Sequence, residues 1–201
     1  MHQTPPRTAQ SVYESLITID YIDALANPQN EKDHLNPTDP YLAAKCRYWA
    51  EKVNRDCCSP YYGVLVRKDE GERKENFDKL ISGLKSFSKQ LDKNGDARGF
   101  LGDGRLCNTD ISLMPWAFRY YIFEHYRGYT IPIDDDPELA AYKVWYDYVF
   151  SLDSVKRTLP DKDRYLEHIG KYADSSARSK VANAVRRGAA AHEIEDEKDT
   201  Y

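Results

Sequence analysis

The chain has 201 residues, of which 41% are hydrophobic and 31% charged, with a formal net charge of −4 and a mean hydropathy of −0.76. This length suits one large domain, or one domain with a fragment of a second. No apolar run approaches the roughly 20 residues that a membrane span needs, and the acidic balance argues against a general binder of nucleic-acid phosphates, which carries a basic domain.

The cysteines Cys46, Cys57, Cys58 and Cys107 form neither a disulfide framework nor a CxxC pair. Adjacent cysteines rarely bond each other, because that bridge is strained. The first residues also lack a basic region followed by an apolar stretch, so no secretory signal is predicted. We therefore expect free thiols in a reducing compartment, with a cytoplasmic localisation.

The first predicted helix lies in the segment SVYESLITIDYIDALANP, over about residues 15–26. Asn27 and Pro28 are expected to end it, because proline disfavours helical geometry in the residue before it. Asp39 is the expected N-cap of a second helix that has Pro40 in its first turn. Apolar spacing of three or four residues predicts its buried stripe: Leu42, Cys46, Trp49, Val53 and Cys57.

Pro60 is expected to kink or interrupt the second helix, and a third is predicted over about 72–91. A loop with four glycines, DKNGDARGFLGDGR, then leads to a long helix over about 108–126. This helix is apolar nearly all round, which is typical of a central buried helix, and we place Pro115 in its first turns.

Further helices are predicted after Pro137, around residues 154–158, and within DKDRYLEHIGKYAD and SARSKVANAVRRG. The helix after Pro137 is expected to supply core contacts from Leu139, Tyr142, Val144, Trp145, Tyr148 and Val149. Gly188 closes the last helix, and the acidic stretch HEIEDEKDTY is expected to be disordered. No segment of useful length shows the alternating apolar and polar residues of a β-strand, and no internal repeat appears. The sequence therefore predicts an all-α helical bundle.

Common chemical motifs are missing from the sequence. The five histidines form no HExxH pattern, and the glycine loop neither follows a strand nor ends in GK[ST]. There is also no GxSxG elbow. We therefore predict no metal site and no phosphate-binding loop.

Asp110 lies where the polar residues of LCNTDISLMPW meet the long apolar helix. It is either a catalytic carboxylate or a structural cap that accepts backbone N–H groups at the helix start, and the local pattern favours the cap. Glu14 and Ser15 lie at the start of the first helix, where free N–H groups attract anions. They are either a plain cap or a site in which Ser15 and the N–H groups bind a carboxylate while Glu14 binds an ammonium group.

Three segments, VYESLITIDYIDAL, LNPTDPYLAAKCRYW and FLGDGRLCNTDISLMPWAFR, together resemble a cytosolic glutathione transferase of the omega-like, fungal-type branch. The stretch KYADSSARSKVANAVRRG resembles its last helices. The resemblance covers about residues 11–190. It implies a remnant of the last helix of a thioredoxin-like domain over 11–27, an all-helical C-terminal domain over 28–190, an atypical or disordered start over 1–10 and an acidic tail over 191–201.

The resemblance implies that Glu14 and Ser15 contact the γ-glutamyl part of glutathione, which is a co-substrate and not a bound cofactor. It makes Asp110 the capping aspartate, and Trp116, Arg119 and Tyr120 candidates for the pocket of the second substrate. The usual capping serine or threonine is Cys107 here, so the cap is expected to fall to Asn108 or Thr109.

The sequence departs from the family in one respect: about 65 to 80 residues of the thioredoxin-like domain are missing from the pattern. No catalytic residue can therefore be assigned. The first helix is then expected to present an apolar patch that aggregates or recruits a partner, formed by Leu16, Ile17, Ile19, Tyr21, Ile22 and Leu25. One explanation for the missing residues is a gene prediction that omits the coding sequence of the thioredoxin-like domain.

The resemblance implies two alternative functions. One is a transferase that joins glutathione to a small hydrophobic electrophile or removes it by thiol exchange, in detoxification or fungal secondary metabolism, as a possible homodimer without nucleic-acid or membrane partners. The other is a non-catalytic helical module for protein association or ligand carriage.

Overall fold

The computed structural model describes residues 11–26 and 34–191. The predictions made for residues 1–10, for the helix end at Asn27 and Pro28, and for the acidic tail from His192 onward lie outside these ranges.

Within the described ranges the chain is all-α, which confirms the predicted fold class, and its strand-like geometry is limited to one isolated bridge between Asp96 and Asp103. The ten α-helices are α1 (Ser15–Ala26), α2 (Pro40–Val53), α3 (Pro60–Val66), α4 (Glu70–Asn94), α5 (Asn108–Arg119), α6 (Tyr121–Arg127), α7 (Ala140–Ser151), α8 (Asp153–Lys156), α9 (Lys162–Ala173) and α10 (Lys180–Arg186). A π-helical turn occupies Asn54–Cys58, and a 3₁₀ turn occupies Pro137–Leu139.

The start of α2 follows the predicted cap chemistry. Asp39 has an extended backbone, and its carboxylate accepts a hydrogen bond from the Leu42 N–H at 2.8 Å. Pro40 occupies the first turn, where its missing N–H leaves no hydrogen bond unmade.

The buried face of α2 differs from the predicted stripe. Ala43, Cys46, Ala50 and Val53 are buried, whereas Leu42 is 38% exposed and Trp49 is half-buried. The two alanines allow close contact with α5, and this packing shifts the buried face by about one residue from the most apolar positions.

The interruption expected at Pro60 begins earlier, as the π-helical turn. The Ser59 N–H donates to the Asn54 carbonyl at 2.8 Å, so one extra residue is accommodated before Pro60 begins α3. This turn packs against Gly83 of α4, where an added Cβ atom would lie 2.5 Å from the Asp56 carbonyl oxygen.

Gly83→Ala is therefore expected to lower the free energy of unfolding by about 1–2 kcal/mol. The helix propensity of alanine contributes up to about 1 kcal/mol in favour of the variant, but overpacking against a backbone carbonyl costs about 1–3 kcal/mol. Urea unfolding measures the difference. Ser82→Ala, at the exposed neighbouring position, is the matched control and is expected to stay within about 0.5 kcal/mol of the wild type.

The predicted central helix over 108–126 is divided at Tyr120 into α5 and α6. A tighter turn forms there, with the Tyr120 N–H donating to the Ala117 carbonyl. Placing Pro115 in the first turns was wrong: it lies inside α5, beyond its first turn, on an exposed face where its ring meets solvent.

The core is aromatic and lies between α4, α5 and α7. Trp145 of α7 is completely buried and makes an edge contact with Phe87 of α4 at 5.4 Å between ring centroids. Val144, which was expected in the core, is 47% exposed, because α7 turns Trp145 and Tyr142 inward instead.

Candidate functional site

Asp110 is fully buried at the start of α5 and is surrounded by hydrogen-bond donors. Its carboxylate accepts from the backbone N–H of Phe100 at 3.0 Å and of Cys107 at 2.8 Å, and from the Trp145 indole N–H at 2.7 Å. Burial raises the pKa of Asp110 to about 6, although these donors act in the opposite direction. The carboxylate thus ties together the glycine loop, the start of α5 and α7, and it has no solvent contact through which to act on a substrate.

We expected Asn108 or Thr109 to cap α5. The cap instead pairs Cys107 with Asp110. Asp110 is three residues after the N-cap, which is the position that reaches back to the N-cap N–H, and the Cys107 sulfur takes the place of a hydroxyl. The Thr109 hydroxyl donates instead to the Cys46 carbonyl of α2 at 2.8 Å.

Helix α1 is held mainly by two aspartates that the sequence analysis did not single out. Asp20 accepts from Asn108 of α5 at 3.2 Å, from Asn36 at 2.8 Å and from Arg47 of α2 at 2.7 Å. Asp23 accepts the N–H groups of Leu35 and Asn36 at 2.8 and 3.0 Å. The available signal was two acids three residues apart on one face of an otherwise apolar helix.

Glu14 and Ser15 form the solvent-exposed entrance of α1. Glu14 has a φ of +68°, a left-handed conformation that non-glycine residues rarely adopt. Its carbonyl accepts both the N–H and the hydroxyl of Thr18, at 2.8 and 2.9 Å. The N–H groups of Ser15, Leu16 and Ile17 precede the first helical hydrogen bond, and among the described residues they have no acceptor.

This entrance can bind a zwitterion. These N–H groups, which have no acceptor among the described residues, and the Ser15 hydroxyl suit a carboxylate, since a helix N-terminus carries partial positive charge. The Glu14 side chain adds a negative charge beside them that suits an ammonium group. A left-handed residue at such a position is also a frequent sign of a functional constraint on the backbone.

Glu14→Gly is expected to leave stability unchanged or to raise it by up to about 1.5 kcal/mol. Relief of left-handed strain is worth about 1–2 kcal/mol, and the added freedom of the unfolded chain removes about 0.5–1 kcal/mol of it. Thermal unfolding tests this. Ser175→Gly, at the other described non-glycine residue with a φ of +68°, is the matched control and should change stability similarly. A loss of more than about 1 kcal/mol for Glu14→Gly would show that the Glu14 side chain stabilises α1.

The three residues expected around a second-substrate pocket do not share either of the two cavities found among the described residues. The Arg119 guanidinium lies over the Trp116 ring at 5.3 Å and over Tyr165 of α9 at 5.4 Å. Tyr120 is buried, and its hydroxyl donates to the Cys57 carbonyl at 2.9 Å. It lines a cavity of about 360 Å³ between α5, α6 and α7, which Trp116 and Arg119 do not line.

A larger polar cleft, of about 740 Å³, lies between the π-helical turn, α3, α4 and residues 185–191. Its charged side chains pair with one another: Lys52 with Asp56 at 2.6 Å, and Lys79 with Glu75 at 2.8 Å. The cleft therefore offers little unbalanced charge to a ligand.

All four cysteines are free and buried. Burial raises the pKa of the Cys58 thiol well above its usual range, while a hydrogen bond from Cys107 lowers that of Cys46. Cys46 is nevertheless fully buried, so none of these thiols can reach an outside electrophile.

In the described part of the chain, no three histidine, cysteine or acidic side chains gather as metal ligands. No helix over residues 11–26 and 34–191 is both long and apolar enough to cross a membrane.

Comparison with known proteins shows a consistent similarity, although no family model matches the sequence. The chain is 28% identical over 150 residues to glutathione S-transferase 3 of Glycine max, covering 75% of this chain and 63% of that protein. It is also 28% identical over 155 residues to glutathione transferase GST 23 of Zea mays, covering 77% and 65%. The chain thus spans less than two thirds of the length of these relatives.

Solved structures of glutathione transferases are similar to this chain as well. The glutathione transferase Omega 3C of Trametes versicolor matches with a TM-score of 0.67 and 25% identity, over 84% of this chain and 67% of that one. Rice GST1, in complex with glutathione, matches with a TM-score of 0.64 and 25% identity, over 83% and 72%. The all-α fold is therefore of the helical type found in glutathione transferases, and these similarities support that family. They include both plant and fungal proteins and do not distinguish the omega-like, fungal-type branch.

Proposed function

We propose that this chain supplies the helical part of a glutathione transferase-like enzyme and the part of the glutathione site that binds the γ-glutamyl group. The observation that carries the proposal is the left-handed Glu14 beside Ser15, at an α1 entrance whose N–H groups have no acceptor among the described residues. The γ-glutamyl group ends in an α-carboxylate and an ammonium group, which match the two halves of this entrance. The similarity to glutathione transferases supports glutathione, the co-substrate, as the ligand.

The chemistry proposed for the whole enzyme uses the glutathione thiolate as nucleophile. It attacks either an electrophilic carbon, forming a thioether as the leaving group departs, or the glutathione sulfur of a mixed disulfide, forming glutathione disulfide as the substrate thiolate departs. A hydroxyl or thiol donor must stabilise the thiolate. The buried cysteines do not fit this role, so the catalytic residue is left unassigned.

The finer assignments remain proposals. They are the omega-like branch, a hydrophobic xenobiotic or secondary metabolite as the second substrate, a homodimer, and the division into residues 11–27 and 28–190. The apolar face of α1 supports the division, since Ile17, Tyr21, Ile22 and Leu25 are between 46% and 65% exposed. Such a face is expected to pack against another protein surface.

One observation favours the alternative, a non-catalytic module for association or ligand carriage. No accessible thiol lies anywhere in the described ranges, and binding alone needs only the entrance of α1. Glutathione-dependent turnover by the 201-residue chain would exclude this alternative.

Calorimetric titration of the full chain with glutathione tests the proposal. We expect a Kd weaker than about 1 mM, equivalent to about −4 kcal/mol, because the described contacts reach only one end of the tripeptide. Glu14→Gln should weaken binding by about tenfold, since a hydrogen bond to a charged group is worth about 1.5–3 kcal/mol, and Ser15→Ala by less.

Ser82→Ala, on the exposed face of α4, is the control and should bind as the wild type does. An unchanged affinity in both Glu14→Gln and Ser15→Ala would contradict the proposed site. A micromolar wild-type isotherm would instead show that the chain provides more of the site than the α1 entrance.

A further inference from the structure

Arg119 is held between two aromatic rings, and its guanidinium has no counterion among the described residues. Its guanidinium lies over Trp116 and over Tyr165, and within the described ranges it makes no ion pair and donates no hydrogen bond to a protein group. Arginine in such a stack has lost much of its rotational freedom, so its planar set of donors is preorganised.

Two acids at the start of α9 act on Tyr121, the neighbour of this stack, without pairing with Arg119. Asp161 and Asp163, at the start of α9, are close enough to Tyr121 to help raise its pKa to about 12. Asp161 caps α9, where its carboxylate accepts the Arg164 N–H at 2.9 Å. Neither acid comes within ion-pair distance of Arg119, so its positive charge remains available.

The rings beside Arg119 continue as an aromatic surface. Trp116 contacts Tyr61 and Tyr62 of α3 at centroid distances of 5.2 and 5.7 Å, and Tyr62 contacts Tyr172 of α9 at 6.0 Å. The hydroxyls of Tyr61 and Tyr165 are 3.2 Å apart. Trp116, Tyr62, Tyr165 and Tyr172 are all half-buried, so part of each ring is open to a ligand.

This surface is on the same side of α5 as the contact with α1. At about 100° per residue, Asn108, Pro115 and Arg119 share one face of the helix. Asn108 is covered by α1 through its contact with Asp20, whereas Pro115 is exposed, so the described elements leave this face open around Pro115.

We propose that Arg119 selects flat aromatic second substrates that carry a carboxylate or sulfonate. The acid pairs with the guanidinium while the ring packs on Trp116 and the neighbouring tyrosines. This inference rests on the proposed function for its identification as the second-substrate side. A guanidinium fork binds planar oxyanions with two hydrogen bonds, whereas a neutral aromatic gains only the stacking.

A matched pair of fluorescent probes tests this in the full chain: 1-anilinonaphthalene-8-sulfonate, and N-phenyl-1-naphthylamine, which lacks the sulfonate. Arg119→Met should weaken sulfonate binding by about tenfold or more and change neutral-probe binding less than about twofold. Arg119→Lys should give an intermediate loss. Arg164→Met, which removes an exposed arginine of α9, controls for net charge and should leave both affinities unchanged.

Equal losses for both probes, or equal effects of Arg119→Met and Arg164→Met, would overturn the proposal. If Arg119→Met does not fold, the ¹⁵N signal of the wild-type Arg119 Nε–H, assigned by its absence in Arg119→Lys, decides. It should shift with the sulfonate and not with the neutral probe.

The experiments distinguish failure of the proposed glutathione site from failure of the proposed anion site at Arg119. If glutathione does not bind at Glu14 and Ser15 but the sulfonate still requires Arg119, the anion site stands and its role as the second-substrate side falls. If glutathione binds and Arg119→Met keeps its sulfonate affinity, the proposed function stands and Arg119 has only a packing role.

Discussion

Asp110→Ala is expected to lower the free energy of unfolding by roughly 4 kcal/mol. The substitution leaves the N–H groups of Phe100 and Cys107 and the indole N–H of Trp145 without their acceptor in a fully buried site. Each unpaired buried donor costs about 1–3 kcal/mol, and partial relaxation reduces the sum. Urea unfolding at pH 7 measures the loss.

Asp92→Ala, at an exposed aspartate of α4, is the matched control and should stay within about 0.5 kcal/mol of the wild type. A loss below about 1 kcal/mol for Asp110→Ala would contradict the structural role. A folded Asp110→Ala protein with unchanged stability would reopen the catalytic interpretation of this carboxylate.

The second large effect is a pH dependence caused by Asp110. Its folded-state pKa is raised to about 6 from an ordinary 3.8. Between these values the folded chain keeps a proton that the unfolded chain has lost, so stability falls as pH rises. The contribution is fully present below about pH 4 and is lost by about pH 6, and it amounts to about 3 kcal/mol at 1.36 kcal/mol per pKa unit.

The wild type must be compared with Asp110→Asn across pH 4 to 7, because other carboxylates change stability in the opposite direction. Asp56 and Asp103, for example, have lowered pKa values, and the stability they contribute is lost as pH falls. Those contributions are common to both proteins and cancel. The advantage of the wild type over Asp110→Asn should shrink by about 2.4 kcal/mol from pH 4 to pH 7; a constant difference would mean that Asp110 is ionised throughout.

Local chemistry was sufficient to predict most of the helices. The cap at Asp39 and the apolar face of α4 depend on neighbours within one or two turns, so propensity and periodicity identify them. The predictions failed where contacts between helices determine which residues are buried and how the backbone is wound. The buried face of α2 follows its contact with α5 and not the position of Leu42, and the π-helical turn depends on the space that Gly83 leaves on α4.

Half of the candidate site was visible in the sequence. Glu14 and Ser15 could be located because a polar pair before an apolar helix is a local pattern. The left-handed backbone of Glu14 has no local sequence signal, and the anchoring of α1 by Asp20 requires partners in α2 and α5. The arrangement around Arg119 likewise depends on Tyr165, which is far away in sequence but adjacent in space.

The central claim, that the entrance of α1 binds a γ-glutamyl group, is tested most directly by mapping amide chemical shifts in the ¹⁵N-labelled chain. Glutathione and γ-glutamylcysteine should both shift the signals of Ser15, Leu16 and Ile17, whereas cysteinylglycine, which lacks the γ-glutamyl group, should not. Equal shifts with cysteinylglycine, or shifts confined to the cleft beside α3 and α4, would contradict the claim.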